Sequence, residues 1–130
     1  MILDIAYTQH RGTDWRYPVQ QDALWNSVEV IQSRNRLPAG LQTHADVISL
    51  AVADGLGGTP QAERASRTVL EELAAAIQGG ALFDRGLVRR IHARLCDRLA
   101  FGETIGSATT LAAVQIQGEQ CSVMSVGDSR

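Results

Sequence analysis

The sequence predicts an α+β fold in a single domain. Strand-like segments come first, two consecutive helices follow, and a pair of strands closes the chain of 130 residues. This order is not the strict alternation of strand and helix that gives a parallel sheet. With 45% hydrophobic and 20% charged residues, the composition is that of an ordinary globular protein with a real core.

The first half of the chain contains three segments with strand character. Residues 1–8 alternate loosely between apolar and polar side chains, and residues 22–32 are rich in β-branched and aromatic residues. Residues 33–46 carry a proline, a glycine and several polar side chains, which predicts a loop. Residues 47–53, VISLAVA, are almost continuously apolar, which is typical of a strand covered on both faces.

Two amphipathic helices are predicted next. Thr59 can cap the first helix, with Pro60 at its first position, and a Gly-Gly pair ends it at residue 80. Apolar residues recur between these points at helical spacing. The second helix is expected to run from about Asp84, a suitable cap, to Leu99.

The last segments predict a hairpin. Residues 108–117 and 120–126 have strand character and are separated by a tight turn at Gly118. Because a strand pair needs neighbours to be stable, we expect the chain to stop in the middle of a sheet.

Charge and cysteine usage narrow the function classes. A formal net charge of -2 gives no electrostatic reason to expect nucleic acid or an anionic membrane as a partner. Cys96 and Cys121 form no CxxC pair and suggest no disulfide framework, and no apolar run is long enough to span a bilayer. Cys96, beside the apolar stripe of the second helix, is expected to fill the core. These features predict a cytoplasmic protein.

The segment ADGLGG, residues 53–58, raises a question of chemistry. It matches neither the Walker A pattern nor the dinucleotide fingerprint, and a carboxylate at Asp54 would repel a phosphate. A hard cation such as Mg²⁺ or Mn²⁺ would remove that conflict, and the glycines would let a backbone carbonyl approach it as a further ligand. The alternative is a glycine-rich turn in which Asp54 only accepts local hydrogen bonds.

Several segments in this order carry a resemblance. VADGLGGTPQAERAS, GSATTLAAV and VGDSR, with QQDALW as a weaker addition, resemble the signature segments of the metal-dependent type 2C protein serine/threonine phosphatases. The resemblance extends from about Thr8 to Arg130. It implies a layered β-sandwich flanked by helices, of which this chain would be the N-terminal portion, truncated after Gly-Asp-Ser-Arg.

The resemblance also implies an activity and its residues. The expected reaction is hydrolysis of phosphoserine or phosphothreonine in a protein substrate, with two Mn²⁺ or Mg²⁺ ions. Asp54 would bridge the ions, and the Gly55 backbone carbonyl would complete one of them. Asp22 would be an outer-shell acid that orients water, and Asp128 would belong to an accessory metal position.

The chain departs from the family pattern at three places, one of which is Gln20 and Gln21 in place of the commoner asparagine and acid. Tyr17 stands where the family has a phosphate-binding arginine, so Arg16, one position earlier, and Arg11 are the candidates, with a solvated arginine as the alternative. Two further metal-binding aspartates of the family are absent, so we expect a fragment with little activity alone. A non-catalytic, phosphatase-like binding or regulatory module is the alternative function, and a nucleotide-binding domain is a third.

Overall fold

The fold was obtained as a computed structural model that describes residues 1–129. Arg130, the last residue of the VGDSR segment, lies outside the described residues. The strands are β1 (Ile2–His10), β2 (Asp22–Trp25), β3 (Val30–Ile31), β4 (Asn35–His44), β5 (Val47–Asp54), β6 (Leu111–Gln117) and β7 (Gln120–Val126). The helices are α1 (Ala62–Gln78) and α2 (Arg85–Leu99), followed by a short 3₁₀ helix, Gly102–Thr104.

The strands form two antiparallel sheets. β1 and β4 make a two-stranded sheet, and the other strands make a five-stranded sheet in the order β3-β2-β5-β6-β7. The two final strands pair as a hairpin around Gly118, as predicted. Two sheets and two helices confirm the α+β class and are consistent with part of a phosphatase domain of this type.

The core lies between the helices and one face of the five-stranded sheet. Alternate residues of β5 point to this side, where Ala51 and Ala53 pack against Leu70 and Leu73 of α1. The small side chains of the sheet let α1 approach closely, and α2 adds Leu87 and Ile91 to the same cluster. The opposite face of the sheet faces β1 and β4 across an apolar cleft of about 830 Å³.

The prediction of a loop over residues 33–46 was wrong, because most of it is β4. The sequence signals that suggested a loop have a place in this strand. Leu37 and Pro38 lie opposite Thr8, where the pairing of β4 with β1 is irregular. Proline has no N–H to donate, and at this irregularity its absence costs no hydrogen bond between the two strands. β4 belongs to a two-stranded sheet with largely exposed residues, so its polar side chains meet water.

The predicted start of α1 was also wrong. The helix begins at Ala62 with Gln61 at the cap position, in the left-handed conformation with φ 49°. The hydroxyl of Thr59 donates to the carbonyl oxygen of Leu56 and closes a turn before the helix. The end at Gly79 is confirmed, and so is the Asp84 cap of α2, whose carboxylate accepts from the N–H of Leu87 at 2.8 Å.

Among residues 1–129, no helix combines the length and apolar character that crossing a membrane requires.

The prediction that Cys96 fills the core was wrong, because the residue is exposed. α2 buries Leu87, Ile91 and Leu99, and position 96 lies away from that stripe.

Candidate active site

Asp22 and Asp54 lie side by side at one end of the five-stranded sheet. β2 begins at Asp22, β5 ends at Asp54, and the two residues are directly opposite in the antiparallel register. Directly opposite residues project on the same face, which here is the face away from the helices. Both line a cleft of about 290 Å³, together with Thr8, Gln9, His10, Gln20, Ala23, Leu24, Val52, Ala53 and Ser129.

The pKa of the Asp22 carboxyl group is raised in this cleft. Partial burial, a hydrogen bond with Asp54 and repulsion from its charge raise the pKa of Asp22 from 3.8 to about 6. Within residues 1–129, neither carboxylate forms a salt bridge. The cleft therefore holds two acids that no salt bridge within residues 1–129 neutralises, although His10 lines the same cleft.

Gly55 is fixed beside this pair by its backbone. Its N–H donates to the carbonyl oxygen of Gln21 at 3.0 Å. A Cβ at this position would lie 2.4 Å from the carbonyl oxygen of Ala62 and 2.7 Å from that of Gln21, so only glycine fits. In the described part of the chain, the Gly55 carbonyl oxygen accepts no hydrogen bond, which leaves it available as a ligand.

Thr109 and Thr110 hold the backbone of Asp54. The N–H of Asp54 donates to Oγ1 of Thr110 at 3.0 Å, and the N–H of Thr110 donates back to the Asp54 carbonyl oxygen at 2.9 Å. Oγ1 of Thr109 donates to the same carbonyl oxygen at 3.0 Å. The sequence alone does not indicate this role for the threonines, although they stand in the GSATT segment that carries part of the resemblance.

Further polar residues, to which the sequence assigned no role, support Asp22 and its neighbours. The hydroxyl of Ser66, fully buried in α1, donates to the carbonyl oxygen of Gln21, the same atom that Gly55 contacts. The side chain of Gln20 accepts from the N–H of Asp22 at 3.2 Å. Gln9 donates to the Asp22 carbonyl oxygen at 3.3 Å. Ser66 follows Ala65 in the first matching segment, whereas nothing in the sequence distinguishes Gln9.

The VGDSR segment reaches the same place through Thr110. The hydroxyls of Ser129 and Thr110 are hydrogen-bonded at 2.5 Å, and Gly127, with φ 93°, packs against the Thr110 side chain. Asp128 is exposed. Among the residues described, no three His, Cys, Asp or Glu side chains come close enough to hold one metal ion, so Asp128 does not join Asp22 and Asp54 in such a cluster.

The two candidate arginines lie in the segment before Asp22. Arg16 is exposed and forms a two-pronged salt bridge with Asp14, with Nη2 and Oδ2 2.6 Å apart. Arg11 donates through Nη1 to the carbonyl oxygens of Asp14, at 3.1 Å, and of Tyr17. Both guanidinium groups therefore bind within the segment before Asp22. Among the described residues, 1–129, those that line the cleft of Asp22 and Asp54 do not include Arg11 or Arg16.

The donor atoms at the cleft suit a hard divalent cation. The two carboxylates of the cleft supply oxygen, which Mg²⁺ and Mn²⁺ prefer to nitrogen or sulfur. A bound cation would also relieve the repulsion that raises the pKa of Asp22. The residues present therefore fit such an ion, with fewer charged ligands than a complete site has.

Comparison with known proteins gives a match to a protein family. The sequence model of the family described as protein phosphatase 2C matches residues 37–130. No curated protein and no solved structure matches the chain significantly. The family match covers more than half of the chain, includes Asp54, Gly55 and Thr110, and indicates a phosphatase, which is a hydrolase. The chain therefore belongs to the protein phosphatase 2C family.

Proposed function

We propose that the protein hydrolyses phosphoserine and phosphothreonine in proteins, with two Mn²⁺ or Mg²⁺ ions as cofactors. The observation that carries the proposal is the pair formed by Asp22 and Asp54, which lie opposite each other in the sheet and line one cleft. Its chemistry agrees with the phosphatase family to which the chain belongs.

Each residue has a distinct role in this proposal. Asp54 and the carbonyl oxygen of Gly55 hold metal, Asp22 orients the attacking water through a hydrogen bond, and Asp128 belongs to an accessory metal position. The ions, when bound, supply activation of that water and neutralise charge on the phosphoryl oxygens. Thr109 and Thr110 keep Asp54 in place during turnover because they bind both its N–H and its carbonyl oxygen.

The substrate phosphate needs a cationic partner as well. Arg16 is the proposed group, with Arg11 as the alternative. Either guanidinium would first have to leave its present partners, which are Asp14 for Arg16 and two backbone carbonyl oxygens for Arg11. Because this salt bridge is exposed and screened by solvent, the release of Arg16 costs little.

The complete metal site would need ligands beyond Asp54 and Gly55. Affinity for divalent ions rises with the number of charged ligands, so further carboxylates from outside residues 1–129 would complete the site. Residues 1–130 would then be one portion of the catalytic domain. Two free cysteines support a reducing, cytoplasmic location, and the net charge of -2 favours no nucleic-acid partner.

Replacement of Asp54 tests the proposal. The complete protein should release phosphate from a phosphothreonine peptide only with Mn²⁺ or Mg²⁺, and Asp54→Asn should lower kcat/KM at least about a hundredfold, because about 3 kcal/mol of charge stabilisation is lost. Asp46→Asn, just before the other end of β5, is the matched control and should retain activity. Undiminished turnover in Asp54→Asn would refute the assignment.

A non-catalytic binding module is the second candidate. It is favoured by the absence of a three-ligand metal cluster among residues 1–129. Such a module would bind a phosphothreonine peptide without releasing phosphate and without needing a divalent ion. Calorimetry with the peptide, in the presence of a chelator, separates it from the phosphatase.

A further inference from the structure

A histidine and a cysteine are paired on the outer face of α2, on the far side of the helix from the core. His92 and Cys96 are four residues apart, so they lie one turn apart on the same face. Both side chains are exposed, and Sγ of Cys96 is 3.6 Å from Nε2 of His92. Neither residue lines the cleft that holds Asp22 and Asp54.

The separation of the two atoms matches what a single ion requires. Zn²⁺ binds thiolate sulfur at about 2.3 Å and imidazole nitrogen at about 2.0–2.1 Å, and a tetrahedral angle between these bonds places the atoms about 3.5–3.6 Å apart. The observed 3.6 Å therefore allows one ion to bind both atoms without displacing either. A helix also holds its residues at fixed spacing, which lowers the entropy cost of binding.

We propose that His92 and Cys96 form a two-ligand site for a thiophilic divalent cation such as Zn²⁺. Thiolate and imidazole are soft or borderline ligands, unlike the oxygen ligands of the Asp54 cleft, so the two sites select different ions. On binding, the Cys96 thiol releases its proton to solvent, and Nε2 of His92 binds in its unprotonated form. Two coordination positions stay open to water, which makes the ion exchangeable.

The charged residues around His92 and Cys96 affect the affinity of the site for a cation. Arg89, three residues before His92, opposes a cation, whereas Asp97 is adjacent to Cys96. The guanidinium groups of Arg94 and Arg98 are paired with Glu72 of α1, which offsets their charge. The thiolate is therefore the main attraction for the ion, and removal of Cys96 should abolish binding.

Cobalt is the probe, because Co²⁺ bound to a thiolate gives a charge-transfer absorption band in the near ultraviolet that carboxylate ligands do not give. The reduced 130-residue chain should show this band on titration with Co²⁺, and Zn²⁺ should abolish it by competition. Cys96→Ser should lose the band. His92→Gln should raise the dissociation constant at least tenfold. Both residues are exposed, so circular dichroism should confirm unchanged folding.

The other cysteine provides the matched control. Cys121 is also free and exposed, but it lies on β7, away from α2. Cys121→Ser should retain the band and bind Co²⁺ within about twofold of the wild type. A wild-type chain without the band would overturn the proposal and leave an ordinary hydrogen bond between thiol and imidazole. Equal loss in Cys121→Ser, or an unchanged dissociation constant in His92→Gln, would overturn it too.

Discussion

At the end of β5, close backbone contacts determine which residue fits at position 55. The Gly55 backbone lies so close to α1 and to the residue before β2 that no side chain can be added there. Its neighbour Gly57 has more freedom, since a Cβ there would meet only the ring of Tyr17 at 3.3 Å. Both glycines belong to one sequence motif, but only the first is required by a contact with backbone atoms.

Alanine at these two positions should have unequal effects. Gly55→Ala would place a methyl group 2.4 Å from the Ala62 carbonyl oxygen, so α1 must shift, and we expect a loss of at least about 3 kcal/mol in the free energy of unfolding. Gly57→Ala should cost less than about 1 kcal/mol, because an exposed side chain can move aside. Urea denaturation of both variants measures this difference. Similar losses in the two would show that the close approach at Gly55 is not decisive.

The stability of the metal-free protein should depend on pH through Asp22. Its pKa is about 6 in the folded state and 3.8 as the reference for the unfolded chain, so the folded state binds more protons between these values. Stability from this group is therefore fully present below about pH 4 and is lost as pH rises through about 6. Because Asp22 is exposed to solvent screening, we expect a loss of about 1 kcal/mol.

Comparison with Asp22→Asn isolates that contribution. Between pH 4 and 7, the wild type should lose about 1 kcal/mol more stability than Asp22→Asn in a chelator, as measured by urea denaturation. Asp46→Asn removes an exposed carboxylate elsewhere and should keep the wild-type pH dependence. Parallel pH profiles for the wild type and Asp22→Asn would show that the pKa of Asp22 is not raised in the folded state.

At the scale of the elements, the two helices are joined by ion pairs as well as by apolar contacts. The Glu72 side chain is only 12% exposed and accepts from Arg98 at 3.0 Å and from Arg94 at 3.3 Å. Arg67 and Glu71 form a more exposed pair within α1. The partial burial of Glu72 and its two partners make it the more important acid in the contact between the helices.

Loss of the Glu72 charge should weaken this contact. We expect Glu72→Gln to lower the free energy of unfolding by about 1 kcal/mol, since two charge-assisted hydrogen bonds weaken together. Arg67→Gln, which removes the exposed pair, should cost no more than about 0.5 kcal/mol. Thermal and urea unfolding of the two variants provide the measurement. If Arg67→Gln proved the more damaging, the ion pairs between the helices would not be significant.

Elements with a strong local signal were predictable, and those that depend on distant partners were not. The apolar run of β5 and the Asp84 cap of α2 are local features, and the strand and the cap were confirmed. The expected cover on both faces of β5 was wrong, because Val52, on the face away from the helices, is exposed. β4 was missed because its irregularity at Pro38 is tolerated only opposite Thr8 of β1. The start of α1 was missed because Thr59 bonds to the turn before the helix.

At the scale of the whole molecule, the site was predictable only in part. The motif around Asp54 predicts a metal-binding acid at that position, and the position of Asp22 opposite Asp54 follows from sheet register, which no short motif encodes. The support from Gln9 and Ser66 depends on three segments meeting in space. Residue roles at Asp54, Gly55, Asp22, Asp128, Arg16 and Arg11 stay predictions until the variants are measured.

The two-stranded sheet of β1 and β4 should open more readily than the rest of the molecule. The helices and the five-stranded sheet share one core, whereas β1 and β4 pair only with each other within residues 1–129. The side chain of Gln9 connects β1 to the five-stranded sheet through hydrogen bonds with the backbone of Asp22, Ile31 and Ser33. The amide protons of β1 and β4 should therefore exchange with solvent through local opening, while those of β5 exchange only when the whole molecule unfolds. Since β1 lines the cleft of Asp22 and Asp54, one wall of that cleft is its least stable part.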